Sequence, residues 1–114
     1  IAFSQRTPPA AVHAGLERAI AIIREHLPTA RLTVVSILPR RDERPHVAAN
    51  TALVNRLLAD GATAGGYRFL DVHADFAGSD GRADPQWFTD EVHLNAAGYD
   101  RLAVRLRPAL SAPP

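Results

Sequence analysis

The segment that most constrains this chain is Leu32-Thr33-Val34-Val35-Ser36-Ile37-Leu38, closed by Pro39. It is short, β-branched and nearly continuously apolar. A strand with one wet face would alternate apolar and polar residues; an unbroken run suits a strand covered on both faces, the habit of parallel sheets. A strand over 33–38 therefore demands helices on either side of it, and the chain supplies them. Thr7-Pro8-Pro9 reads as a hydroxyl N-cap followed by proline in the first turn. Val12, Leu16, Ala19, Ile20, Ile23 and Leu27 then recur at helical spacing until Pro28, predicting a helix over 9–27.

After a polar, proline-containing loop at 39–46, a second helix is expected at 47–60. Leu53, Val54, Leu57 and Leu58 form its inner face, and Gly61 stands at the C-cap position. Tyr67-Arg68-Phe69-Leu70-Asp71-Val72 predicts a second strand. A long loop at 73–92 precedes a last helix at 96–107, capped by Asn95, with Leu102, Val104 and Leu106 as its apolar positions. Residues 111–114 read as a tail. The order helix, strand, helix, strand, helix argues for an α/β domain with a parallel sheet. Two strands alone are a small sheet, so further strands are expected from elsewhere in a longer chain or from another subunit.

Composition narrows the function classes. At 114 residues there is room for one domain, and 46% hydrophobic against 22% charged residues suits a packed core. With no cysteine, a disulfide framework, a thiol nucleophile and a thiolate zinc site are excluded. Thirteen basic residues, all arginine, balance twelve acidic ones, which is no footprint for nucleic acid. No apolar run approaches the roughly 20 residues of a membrane span. The chain opens Ile1-Ala2-Phe3 without Met or a leader-like pattern, so a cleaved product or a piece of a longer protein is expected.

Sites in open parallel sheets form where strands end. Of the segments there, Asp90-Glu91-Val92-His93 carries the most chemistry. A tight turn lets a carboxylate reach the imidazole three residues on, fix its tautomer and stabilise the imidazolium it becomes on taking a proton. The helix start at Asn95 adds positively polarised N–H groups.

In its setting, Asp90-Glu91-Val92-His93-Leu94-Asn95-Ala96-Ala97-Gly98-Tyr99 resembles the last sequence block of the SGNH (GDSL-type) esterases and acylhydrolases. Ser36-Ile37-Leu38-Pro39-Arg40, the helix from Asn50 through Asn55-Arg56-Leu57-Leu58, the strand at Phe69-Leu70-Asp71 and the loop Gly78-Ser79-Asp80-Gly81 are similar, in that order, to the branch containing the catalytic subunits of type I platelet-activating-factor acetylhydrolase. The resemblance implies a three-layer α/β/α, flavodoxin-like fold, of which residues 1–110 would be the C-terminal portion. It also implies hydrolysis of a small-molecule ester by a Ser-Asp-His triad, with Asp90 and His93 as two members and no metal or organic cofactor. The family's Gly-Asp-Ser, glycine and asparagine blocks, which supply the nucleophile and oxyanion hole, have no counterpart in this chain and are expected upstream. A non-catalytic α/β binding module of similar topology is the alternative.

None of the chain's own serines has a nucleophile's setting. Ser4 follows no glycine elbow, Ser36 lies in the buried strand, Ser79 sits in a loop that no strand delivers onto a helix, and Ser111 is in the tail. His73 and Asp75 form an H-x-D without a third ligand nearby, which favours a hydrogen-bonded loop over a metal site. Asp71 is expected to cap loop N–H groups. Arg40, Arg41 and Arg44 read as a solvated loop, with contact to an anionic substrate as the other reading. Trp87 and Phe88 suit either a pocket wall or the core, and His13, His26 and His46 read as surface residues.

Overall fold

A computed structural model describes residues 8–42 and 44–111. Helix α1 spans Pro9–His26, strand β1 Thr33–Val35, helix α2 Pro45–Gly65 and strand β2 Arg68–Leu70. A one-turn helix α3 covers His73–Phe76, a 3-10 turn Pro85–Trp87, and helix α4 Ala96–Ser111. The strands pair in parallel, with Thr33 opposite Arg68, Val34 opposite Phe69 and Val35 opposite Leu70. The alternation read from the sequence is thus the observed α/β architecture, a parallel pair with helices on both faces.

The pleat explains how two strands separate two cores. Neighbouring residues on a strand point to opposite faces. Val34 and Phe69 pack with α1 and α2 around Val47, Val54 and Leu58, joined by Val12, Leu16 and Ile37. Val35 and Leu70 face the other way, onto Val72, Phe76, Ala83, Phe88 and Leu94, with Leu102 of α4. Phe76 and Phe88 meet edge to face with centroids 6.4 Å apart, the arrangement aromatic quadrupoles favour.

Two buried side chains tie the strand ends together. Asn55 of α2 accepts from the Ile37 N–H at 2.8 Å and donates to the Ile37 carbonyl at 3.2 Å. Ser36 Oγ accepts from the Val72 N–H at 2.9 Å. Ser36 therefore lies just beyond β1, committed to a backbone contact and only 4% exposed.

Several boundaries and faces differ from the sequence reading. Pro8 occupies the N-cap of α1 with Pro9 at the first helical position, and Thr7 lies outside the described residues. On α1 Ile20 is buried and Val12 and Leu16 are half-buried, while Ala19, Ile23 and Leu27 of the predicted stripe are exposed. Helix α2 runs past Gly61 to a left-handed C-cap at Gly66, φ 70°. Its buried face is Val47, Thr51, Val54, Asn55 and Leu58, and Leu53 is exposed. The stretch expected as one loop contains α3 and the 3-10 turn, so the described residues hold four α-helices where three were expected. Phe76 draws α3 into the core, but four residues are too few to show a helical period. Helix α4 continues through Pro108 to Ser111, so Ser111 is helical. Arg68 Nη1 donates to the Ala109 carbonyl at 2.9 Å and holds this last turn. Val104 is exposed.

Candidate active site

The Asp90–His93 turn is bracketed by two buried anchors. Phe88 and Leu94 form an isolated antiparallel bridge, and both side chains belong to the core beneath. Between them the Thr89 N–H donates to the His93 carbonyl at 2.7 Å, and the Arg41 N–H donates to the Glu91 carbonyl at 2.9 Å. The turn is thereby closed on itself and braced from the loop that follows β1.

Within the turn, Asp90 uses both carboxylate oxygens. Oδ1 accepts from the backbone N–H groups of Val92, at 2.8 Å, and His93, at 2.7 Å. Oδ2 lies 2.8 Å from His93 Nδ1. A carboxylate only accepts, so the shared proton sits on Nδ1, and in the neutral ring Nε2 carries the lone pair. The side chains are 50% and 71% exposed respectively, which leaves the imidazole edge open to a reactant. The Val92 N–H, the His93 N–H and then the imidazole hold the Asp90 carboxyl well down, at about 2. Hydrogen bonds to the charged form are the physical cause.

The segment after His93 sets its direction. Asn95 Oδ1 accepts from the Gly98 N–H at 2.8 Å, capping α4. Asn95 also donates through its backbone N–H to Trp87 O and through Nδ2 to Gln86 O, both at 2.9 Å. Helix α4 thereby crosses so close to the 3-10 turn that a Cβ on Gly98 would lie 2.2 Å from the Trp87 carbonyl oxygen. Glycine is required at position 98 by this approach, not by its dihedrals.

The other candidates fall into place around this turn. Asp71 accepts from the His73 N–H, as expected of a loop cap. Asp75 is taken by Arg105 at 2.5 Å, and among the described residues no group of three His, Asp or Glu side chains is placed to hold a metal. Arg40 grips Asp42 through two nitrogens, and Arg41 reaches Asp80 at 2.9 Å, so both arginines brace loops. Phe88 is core, and Trp87 is half-buried beneath the Arg101 guanidinium, 4.7 Å from its ring centroid. His26 and His46 are exposed, whereas His13 is half-buried and 2.9 Å from Glu17. Ser79 is exposed in a loop, and Ser4 lies outside the described residues. Sequence reasoning missed the bracing by Phe88, Leu94 and the Arg41 N–H. The signal available was two apolar residues six apart around a turn that is polar but for Val92.

The sequence pattern of the GDSL-like lipase/acylhydrolase family matches residues 3–101. Human platelet-activating factor acetylhydrolase IB subunit alpha1 is 32% identical over 101 residues, covering 87% of this chain and 43% of the relative. The rat alpha2 subunit is 28% identical over 96 residues, 83% of this chain and 42% of the relative. The chain thus spans less than half the length of these relatives. Among solved structures, a Streptococcus pneumonia protein described in terms of platelet activating factor superposes with a TM-score of 0.80 at 22% identity, over 93% of this chain and 53% of its own. A GDSL-like lipase from Bacteroides thetaiotaomicron superposes with a TM-score of 0.69 at 20% identity, over 86% and 52%. These likenesses establish a shared fold.

Proposed function

Because the chain belongs to the GDSL-like lipase/acylhydrolase family, we propose that it carries the proton-transfer half of a serine ester hydrolase. His93 Nε2 takes the proton of a serine hydroxyl as that oxygen attacks an acyl carbonyl, then returns it to the leaving alcohol. A second cycle with water releases the acid. Asp90 holds the ring by Nδ1 and stabilises the positive charge that develops on it. The serine and the oxyanion donors are assigned to a part of the domain outside residues 1–114, since Ser36 is buried on the Val72 N–H, Ser79 is exposed in a loop that no strand delivers onto a helix, and Ser111 lies at the far end of α4. Two relatives are named as acetylhydrolases of platelet-activating factor, so a short acyl ester is the substrate class proposed.

The observation that carries this reading is the 2.8 Å contact between Asp90 Oδ2 and His93 Nδ1 in a turn that leaves the imidazole open. The test is p-nitrophenyl acetate hydrolysis by the full-length protein. His93→Ala is expected to lower kcat by about three powers of ten or more, the scale on which a triad member counts. Retention of more than about a tenth of wild-type turnover would remove His93 from the role of general base.

A further inference from the structure

Phe88 and Leu94 anchor the base of the Asp90–His93 turn, while its tip, residues 90–92, is exposed. The tip is tied to the loop after β1 by the Arg41 N–H, which donates to the Glu91 carbonyl at 2.9 Å. The aim of the imidazole therefore depends on where the backbone of Arg41 stands.

That backbone is set by the hairpin at 77–84. The Ala83 N–H donates to the Arg40 carbonyl at 3.3 Å, and Arg41 Nη1 donates to the Ala83 carbonyl, also at 3.3 Å. Ala83 is a firm footing, being fully buried and bridged to Ala77. Arg41 Nη1 donates as well to Asp80 Oδ2 at 2.9 Å, and Asp80 Oδ1 accepts from the Arg82 N–H at 3.0 Å. Asp80 thus uses one oxygen to close the hairpin and the other to hold Arg41. The Arg82 N–H, and then Arg41, keep its carboxyl below the usual carboxylate range, because both favour the charged form. The Arg41 and Asp80 side chains are 41% and 48% exposed, and an ion pair so open to water adds little stability. What it supplies is position. One guanidinium nitrogen grips two points of the hairpin while the same residue's N–H grips the turn.

We propose that Arg41 and Asp80 are positioning residues, which hold the Asp90–His93 turn against the 77–84 hairpin and so aim the imidazole. Their kinetic effect rests on His93 acting as the base; their hold on the turn does not.

The test uses the full-length protein and two readouts. In p-nitrophenyl acetate hydrolysis, Arg41→Gln and Asp80→Asn should each lower kcat by about ten-fold and leave KM within about two-fold, since a misplacement of about 1 Å can cost about a hundred-fold. Asparagine at position 80 still offers an acceptor to the Arg82 N–H, so the contact it weakens is the one to Arg41. The double variant should be no slower than Arg41→Gln, because the two side chains act as one unit, and Arg41→Lys should recover part of the loss. Arg18→Gln, exposed on α1, should match wild type. In 15N-labelled protein, amide exchange at Val92 and His93, whose N–H groups Asp90 Oδ1 accepts, should quicken by about ten-fold in both single variants, while Leu58 and Phe76 exchange as in wild type. Asp80→Asn carries the test if Arg41→Gln unfolds. Unchanged exchange at Val92 and His93, faster exchange throughout the core, additive losses in the double variant, or a wild-type kcat beside an inactive His93→Ala would each overturn the proposal. Turnover that survives His93→Ala removes the hydrolase reading alone, and selective quickening at Val92 and His93 then still supports the clamp.

Discussion

Asp90 does two jobs with two oxygens, one bracing the turn and one holding the imidazole. Its carboxyl is held at about 2 in the fold, against an ordinary value of about 3.9. A lowered folded value means that the unfolded chain takes up the proton first as pH falls. The stabilisation from Asp90 is therefore complete above about pH 4 and lost as pH falls towards about 2. The melting temperature of Asp90→Asn should accordingly fall less between pH 5 and pH 2 than that of wild type, followed by circular dichroism; equal slopes would contradict the pairing. Esterase activity of the full-length protein should drop in Asp90→Asn but less than in His93→Ala, because the amide still makes a hydrogen bond while losing the charge. Gly98 offers a sharper test of position. Alanine there must push α4 off the Trp87 carbonyl, at a cost of about 1–3 kcal/mol by the usual penalty for overpacking. A melting temperature within about 1 °C of wild type would refute that contact. The D-x-x-H spacing and the Asn95 cap were legible because each is a local contact within three residues. The reason for Gly98 was not, because its partner lies eleven residues away across a turn.

The elements show the same division between local and distant causes. Helices α1, α2 and α4 were legible from apolar spacing and from Pro9 and Asn95 at their starts, since these act within one turn. Their ends and faces were less so. Gly61 resembles a stop, but the chain reaches a left-handed conformation only at Gly66, after another turn of small residues. Leu53 is apolar yet exposed, while Asn55 is polar yet buried, because Ile37, two residues past β1, needs both a donor and an acceptor from α2. Replacing Asn55 by Leu keeps the bulk and abandons both backbone groups. The expected loss is about 1–3 kcal/mol per unsatisfied group, read from urea unfolding. A stability equal to wild type would show that water or a rearranged side chain replaces the Asn55 clamp.

For the whole molecule, the alternation of helix and strand announced an α/β fold, and the small number of strands raised the expectation of further strands from a longer chain or another subunit. The chain matches less than half of its relatives' length, and Ile22, Ile23, Leu27, Val104 and Leu110 are exposed. Each such side chain, about half exposed, forgoes on the order of 1 kcal/mol of burial, in sum a sizeable part of the roughly 5–15 kcal/mol stability of a small domain. Residues 1–114 produced alone are therefore expected to self-associate or to unfold without a sharp transition, by size-exclusion chromatography and thermal melting. A monomer with a cooperative melt would contradict this. The two cores also have a spectroscopic consequence. The single tryptophan, Trp87, packs on the α4 side of the sheet, while Tyr67 is bonded to Leu58 on the α2 side. Intrinsic tryptophan fluorescence therefore watches one core only. If the two faces loosen at different temperatures, the indole emission and the far-ultraviolet helix signal will trace separate curves, and the gap between them measures how firmly two three-residue strands couple the layers they divide.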